Sequence, residues 1–593
     1  MSSLSQVNKY FIKYKWYLLG GIIFITISNI FAIYPAKATR SSFDLIREQL
    51  VVFQQLKSDA DKQKLIESIS VSLLYFGLFI IGSSLLKGLF MFFMRQTIIV
   101  MSRHIEYEQK NEIYRKYQEL STTFYKTNNT GDLMNRISED VGRVRMYTGP
   151  AIMYLINLVV LSVLVIIAMY NVNPELTLYV LMPLPIMAIL IYYIQEKIEK
   201  KSSSVQARSS DLSTIAQESF AGIRVIKAFA KKEIFRKQFA EKSNQYKNEA
   251  IGLSLTEAFF SPLITLLVGV STILTIYIGG KKAIEGSITI GNIAEFIIYV
   301  NMLTWPFTSL GWVSSLIQRA KASQKRINEF LLHPVEIANA EDAVKLSIWG
   351  DVVFDKVSFT YPHSGIKALK DVSFHIKKGQ SLGIIGNTGS GKSTIANLMM
   401  RMYDVSSGKI SISDVAIQKI DLTELRTNVG YVPQEVFLFS DSISNNISFG
   451  LKTDISVDRI HEAAKDAAVY DNVIGFPQGF ETEIGERGIT LSGGQKQRIS
   501  IARAIIKNPQ LLIFDDCLSA VDTETEDIIL KNLKRIMQGK TAVIVSHRVS
   551  SIKDADQIIV LENGSIVESG AHSELMELNQ KYASLYRQQQ SES

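Results

Sequence analysis

The sequence predicts a six-span α-helical membrane domain fused to a cytosolic α/β domain built on a phosphate-binding P-loop. Three observations carry this reading. Apolar runs long enough to cross a bilayer recur up to residue 317, in a chain of 593 residues that is 47% hydrophobic. Basic residues crowd into two of the connecting loops. Beyond residue 349 short apolar strands alternate with helices, and one strand–helix junction reads GNTGSGKST over 386–394.

The chain opens on Lys9, Lys13 and Lys15 set among Tyr10, Phe11, Ile12 and Tyr14. This pattern predicts an amphipathic segment lying on a membrane surface. Residues 16–36 are then free of charge for 21 positions. Ala36-Lys37-Ala38 resembles a signal-peptide cleavage site, but the apolar region is too long for one and more spans follow. Residues 68–94 are apolar except for Lys87. The runs 146–170, 176–195, 258–280 and 296–317 carry no charge.

Six spans put both ends of the chain on one side, and the basic residues choose that side. Residues 103–145 hold eight Lys or Arg and 197–247 hold twelve. The turn 171–175 holds none, and residues 37–66 mix six basic residues with four acids. The positive-inside rule places the N-terminus, both long loops and everything after Ile317 in the cytoplasm. The net charge of +7 is therefore read as cytosolic loops, not as a nucleic-acid surface. The single cysteine, Cys517, excludes an intrachain disulfide and a cysteine-rich metal site.

Apolar residues in the long loops keep helical spacing, so the membrane helices are expected to extend into the cytosol. Thr130-Gly131-Asp132 and Ala221-Gly222 mark the turns at the tips of two helical hairpins. Lys87, counted inward from Ser68 at about 1.5 Å per residue, falls about 28 Å along its helix, near the inner headgroups. Snorkelling is the first reading there, and a role in binding an anionic lipid or drug is the second. Residues 331–348, with Pro334, Glu336, Glu341 and Asp342, read as a linker. The expected domains are 1–330, the membrane part; 331–348, the linker; and 349–593, the nucleotide-binding part.

Leu382-Gly383-Ile384-Ile385 reads as a buried strand ahead of the P-loop, and a helix follows from Ser393. In this context backbone N–H groups of Asn387, Thr388, Gly389, Ser390, Gly391 and Thr394 would face phosphate oxygens at a positive helix end. Lys392 would reach the β- and γ-phosphates of ATP, and the Ser393 hydroxyl would bind Mg²⁺. Leu511 to Asp515 reads as a strand ending in an acid that would hold Mg²⁺ directly or through water. An acid at a strand end is common, so the signal lies in its company. Leu491-Ser492-Gly493-Gly494-Gln495 opens a basic amphipathic helix that runs through Arg503. A lone Ser-Gly there would be an ordinary N-cap, but the full LSGGQ, 20 residues before Asp515, is far more specific.

LSGGQ between these two motifs resembles the ATP-binding cassette ATPases. Six spans placed before it are similar to the half-transporter exporters of that family, such as the bacterial multidrug and lipid flippase exporters. The resemblance runs from about Trp16 to Tyr586 and implies several roles. Tyr361, in FTYP, resembles the aromatic that stacks on adenine; alone it would read as a core tyrosine. Gln434, in YVPQ, resembles the glutamine that links Mg²⁺ and the attacking water to the membrane domain. His547 resembles the switch histidine that contacts the γ-phosphate. Ser519-Ala520-Val521-Asp522 resembles the loop that touches the opposite subunit, and residues 482–488 the segment that meets the cytosolic loops. Residues 121–132 and 217–232 match the coupling helices.

The family binds each ATP between the P-loop of one chain and the Ser492, Gly493, Gly494 and Gln495 equivalents of another. A second half-transporter is therefore implied, with a homodimer the first reading and a heterodimer the second. The resemblance also implies a multi-pass protein of the bacterial cytoplasmic (inner) membrane, contacting lipid and exporting a hydrophobic or amphipathic drug, lipid or peptide. An ATP-gated regulator is the alternative. One position departs from the pattern. Where the family usually has a Glu after the strand-end Asp, as the base that activates water, this chain has Asp516. Phe259, Phe260, Met302, Trp305 and Phe307 are candidates to line an apolar cavity, although helix packing is the commoner use of such residues.

Overall fold

The computed structural model describes residues 3–346, 349–451, 455–485, 491–518 and 523–592. The chain separates into two compact units, one of residues 1–116 and 131–333, the other of 117–130 and 334–593.

Among the described residues six helices of the first unit are long and apolar enough to cross a membrane. They are α1 (Lys15–Gln55), α2 (Asp59–Glu119), α3 (Thr130–Val172), α4 (Pro174–Ala221), α5 (Lys232–Ile284) and α6 (Ile290–Leu331). Each contains one of the expected apolar runs. α2 has 61 residues, about 90 Å at 1.5 Å per residue and about three times the hydrocarbon thickness, so it continues well beyond the membrane. α6 is the central helix and packs against α1, α3, α4 and α5. It buries Phe296, Tyr299, Val300 and Leu303. Thr289 fixes its start through a capping box, taking the Asn292 N–H at 3.2 Å while Asn292 Oδ1 takes the Thr289 N–H at 2.9 Å. α3 is interrupted by two π-turns, Arg136–Asp140 and Tyr147–Ala151. The second contains Pro150, which has no N–H to give an α-helical bond. Two amide pairs join helices inside the bundle. Asn29 donates to Asn157 at 3.0 Å, and buried Gln109 donates to Gln324 at 3.0 Å.

Three sequence expectations are corrected here. The N-terminal segment does not lie on a membrane surface. Its short helix, Asn8–Lys13, packs on the cytosolic part of α2, where Lys9 meets Glu112 at 2.9 Å and the Tyr10 hydroxyl donates to Glu112 at 2.6 Å. Lys13 and Tyr14 take Glu108. The two lysines and the two glutamates each stand four residues apart, so two helix faces of opposite charge match. Second, Thr130-Gly131-Asp132 is not a break but the first turn of α3. The turns lie on either side of a short helix, Thr122–Thr127. The other tip holds a similar short helix, Ile223–Ala228, begun by Gly222. Third, Lys87 is not near the inner headgroups. Ser28 donates to the Lys87 carbonyl at 3.1 Å, level with the middle of the charge-free run 16–36. The Phe79 ring lies 5.8 Å from that of Tyr34, near the outer end of that run. The apolar residues 68–78 therefore lie outside the span, and counting from Ser68 overstates the depth.

The orientation can be checked directly. Cysteines replacing Asp59 and Lys126 are expected to react with an impermeant thiol reagent from outside and from inside only, respectively. The native Cys517 is buried, and burial pushes its thiol well above the ordinary range, so it should stay silent in this assay. Labelling from the opposite faces would refute the six-span arrangement.

In the second unit, strands form two sheets. An antiparallel sheet of order β2-β1-β4-β5 comprises β1 (Val352–Thr360), β2 (Lys367–Ile376), β4 (Ser407–Ile412) and β5 (Val415–Ala416). A mainly parallel sheet of order β10-β9-β3-β8-β7-β6 comprises β3 (Ser381–Gly386), β6 (Val429–Val432), β7 (Leu511–Asp515), β8 (Thr541–Val545), β9 (Gln557–Glu562) and β10 (Ser565–Gly570). Helices α7 (Lys392–Met399) and α8 (Gly493–Ile505) belong to this unit. β3, β7 and β8 are almost wholly buried apolar runs, as strands covered on both faces must be. Residues 334–346 adhere to the domain: Val344 bridges to Ile420, and Lys419 meets Asp342 at 2.8 Å.

Candidate functional site

The C-terminal ends of β3, β7 and β8 point into one crevice, the place where parallel α/β sheets bind ligands. A cavity of about 560 Å³ opens there, lined by Tyr361, Thr388, Gly389, Gly391, Lys392, Ser393, Thr394, Gln434, Asp515, Asp516 and His547, among others.

The P-loop leaves β3 and enters α7. A Cβ on Gly386 would sit 2.2 Å from the Leu561 carbonyl oxygen, and one on Gly391 would sit 2.5 Å from that of Ala368. Gly391 also has φ +104, outside the range of other residues. Lys392 is buried and folds back on its own loop, donating to the Gly386 and Asn387 carbonyls at 2.7 and 3.0 Å. Burial holds its ammonium below the ordinary lysine value, against the opposing pull of Asp516 and Asp515. Asn387 enters through its carbonyl, and its side chain does not line the cavity. Ser390 is buried with its hydroxyl unpartnered among the described residues, an orphaned polar atom inside the loop.

Ser393 donates to Asp515 at 2.9 Å. Burial pushes the Asp515 carboxyl above its ordinary value, against the Ser393 hydrogen bond. A divalent cation would favour its ionised form. Gln434, just past β6, donates to Asp516 at 3.4 Å. Asp516 takes a left-handed backbone, φ +46, and its N–H bonds Val545 O at 2.9 Å. This tight turn sets its carboxylate at the crevice. His547 follows β8. Burial first, and the Lys392 charge second, hold its imidazole below the ordinary value, so it is neutral at pH 7 and above. Tyr361 leaves β1, with its hydroxyl bonded to Thr394 at 2.9 Å and Phe359 and Tyr403 edge-on against its ring.

Ser492 caps α8, taking the Gln495 N–H at 3.3 Å and giving its own N–H to Gln495 Oε1 at 3.0 Å. Ser492, Gly493, Gly494 and Gln495 are not among the cavity-lining residues. Residues 519–522 and 486–488, to which the resemblance gives contacts, lie outside the described residues. Phe260, Met302 and Phe307 pack against the helical core, whereas Phe259 and Trp305 are exposed.

Sequence reasoning missed two contributors. The β9–β10 turn at Asn563-Gly564 closes over the P-loop, with the Gly564 N–H on Ser390 O at 3.2 Å. The Asn-Gly pair signals a turn but not its neighbour. Gln589, in the polar C-terminal tail, takes the Val549 N–H at 2.8 Å and donates to His547 O at 2.7 Å. It holds the backbone that carries His547. Losing such a bond costs on the order of 1 kcal/mol. Gln589→Ala is therefore expected to lower ATP turnover about fivefold while leaving ATP affinity unchanged, as steady-state kinetics would show.

Known proteins match along the whole chain. Residues 12–307 match the ABC transporter transmembrane region and residues 369–519 match the ABC transporter domain. A probable multidrug resistance ABC transporter ATP-binding/permease protein of Bacillus subtilis, YheI, is 34% identical over 593 residues, covering 100% of this chain and 98% of its own. The multidrug resistance-like ATP-binding protein MdlA of Escherichia coli is 37% identical over 83% of each chain. An ATP-dependent lipid A-core flippase of Hahella chejuensis is 33% identical over 86% of this chain and 88% of its own. Among solved structures, a bacterial Atm1-family ABC exporter with ATP bound superposes with a TM-score of 0.77 at 25% identity, covering 97% of this chain and 98% of that one.

Proposed function

From the premise that this chain belongs to the ABC transporter family, as an ATP-hydrolysing exporter half, we propose that it moves a hydrophobic or amphipathic drug, lipid or peptide out of the cytoplasm or inner leaflet. The chain is a multi-pass membrane protein with a cytosolic ATP-binding domain, and the half-transporter fold implies a dimer. The bacterial inner membrane is the proposed location. One observation carries the reading: Lys392, Ser393, Gln434, Asp515, Asp516 and His547 gather around a single crevice at the strand ends.

The proposed roles combine that geometry with the family resemblance. Lys392 exchanges its own carbonyl partners for the β/γ-phosphates of ATP, and α7 presents its N–H groups to them. Tyr361, tethered through Thr394, flanks the adenine. Ser393, Asp515 and Gln434 would hold Mg²⁺, which when bound neutralises developing phosphate charge. Asp516 takes a proton from the attacking water, and neutral His547 donates to the γ-phosphate. Ser492, Gly493, Gly494 and Gln495 do not line this crevice and, in this reading, serve the ATP of the second half. ATP favours the closed pair of cassettes, and hydrolysis resets it.

A second reading rests on Asp516. An aspartate at the base position fits a weakly hydrolysing half of a heterodimer, whose partner supplies a Glu and an efficient second site. The homodimer is the first reading. An ATP-gated regulator is the remaining alternative. Ligand-stimulated ATPase screening in lipid, comparing drugs, lipids and peptides, tests the substrate reading. Stimulation by at least one apolar or amphipathic class is expected, and indifference to all three would contradict it.

A further inference from the structure

We propose that Lys87 recognises the anionic headgroup, phosphate or carboxylate, of an amphiphilic substrate at mid-membrane depth, after Arg95 has met it nearer the cytosolic interface. This deepens the exporter reading and rests on it.

Depth carries the argument first. Two independent pairs fix the middle of the span. Ser28 Oγ donates to the Lys87 carbonyl at 3.1 Å, and Asn29 bonds Asn157 at 3.0 Å. Asn157 stands midway along the charge-free run 146–170, as Ser28 and Asn29 do in 16–36. The Phe24 ring lies 5.4 Å from that of Phe93, further toward the cytosol on both antiparallel helices, and agrees with this register. Ser28 is about 18 Å from Trp16 and about 12 Å from Ala36 at 1.5 Å per residue. The four-carbon stem of a lysine does not cover either distance, so snorkelling does not account for Lys87. Its side chain tilts toward the N-terminus of α2, away from the cytosol.

Surroundings carry it second. Lys87 is exposed along α2 and has no carboxylate contact among the described residues. Two buried hydroxyl residues adjoin it at this depth: Ser28, on its carbonyl, and Ser83, one turn earlier on α2. A lone ammonium in hydrocarbon is costly, and intramembrane cations ordinarily face a wet path and a counter-charge. Arg95, also exposed, stands eight residues further along α2. Thr97 faces Gly20, so Arg95 lies about level with Ile22, about 9 Å from Trp16. That is within reach of the inner headgroups. The two cations form a two-step ladder from the cytosolic interface to the bilayer centre. The cavity of about 290 Å³ between α4 and α6 carries Glu196 and Glu199 and has the wrong sign for an anion.

The test is ATPase stimulation of the full-length protein in phosphatidylcholine nanodiscs. Four amphiphiles are titrated: dioctanoyl phosphatidic acid, dodecanoate, neutral dioctanoylglycerol and dodecyltrimethylammonium. The enzymes are wild type, Lys87→Ala, Lys87→Glu and Lys87→Arg. The expected result is a half-stimulating concentration for the anionic amphiphiles raised about tenfold or more in Lys87→Ala, raised further in Lys87→Glu and restored in Lys87→Arg. Basal turnover and the responses to the neutral and cationic amphiphiles should not move. A shift confined to phosphatidic acid points to a lipid phosphate, and a shift for both anions to any anionic headgroup. An unchanged anion response, or an equal loss for all four amphiphiles, would overturn the proposal while leaving the exporter reading intact. No stimulation of wild type by any of the four would count against both.

Discussion

Lys392→Ala is expected to lower ATP hydrolysis by about 100- to 1,000-fold, because a preorganised cation at a developing charge is worth that much in rate. The residue is buried between the P-loop and two carboxylates, and its amine is the P-loop cation that would face the β/γ-phosphates. The variant also leaves the Gly386 and Asn387 carbonyls without their donor, so thermal stability must be measured beside turnover. A folded variant that hydrolyses ATP at the wild-type rate would remove the site from the account.

The second large effect is expected at Asp516. Aspartate is one methylene shorter than glutamate, which withdraws the carboxylate by roughly an ångström. A misplacement of that size costs about 100-fold in rate, or about 2.7 kcal/mol of barrier. The structure adds that Asp516 stands on a left-handed turn anchored to Val545 and receives the Gln434 amide. Asp516→Glu is expected to raise turnover of the protein purified alone, and Asp516→Ala nearly to remove it. ATP binding should persist throughout, because Lys392, Ser393 and Asp515 are untouched. Equal turnover for Asp516 and Ala would show that another group activates the water. A chain inactive alone but restored by a co-expressed half would favour the heterodimer.

Much of this site was legible because its chemistry is local. The P-loop needs its glycines, lysine and serine in one run between a strand and a helix, and the run is contiguous at 386–394. Asp515 was readable as the end of a wholly apolar strand. Gln434 and His547 were not readable from their neighbours, since a lone glutamine or histidine after a strand is ordinarily structural, and resemblance brought them in. Gln589 was hidden because it sits in a short polar tail and its partners lie about 40 residues earlier in sequence. The membrane helices were legible from charge-free runs, but their register was not. Lys87 was misplaced because apolar residues 68–78 continue past the bilayer, and the pairings of Lys87 with Ser28 and of Phe79 with Tyr34 reveal it. The N-terminal segment was misread for a similar reason. Its lysines match Glu108 and Glu112, acids about a hundred residues away.

The central claim is that hydrolysis at this crevice drives export. The most direct measurement is flux of a stimulating amphiphile in proteoliposomes, with cassettes facing out, alongside electrical recording of the same preparation. Uphill accumulation that requires ATP, ends with Lys392→Ala and carries no ionic current is the expected result. A downhill flux or a gated ionic current that persists in Lys392→Ala would contradict it.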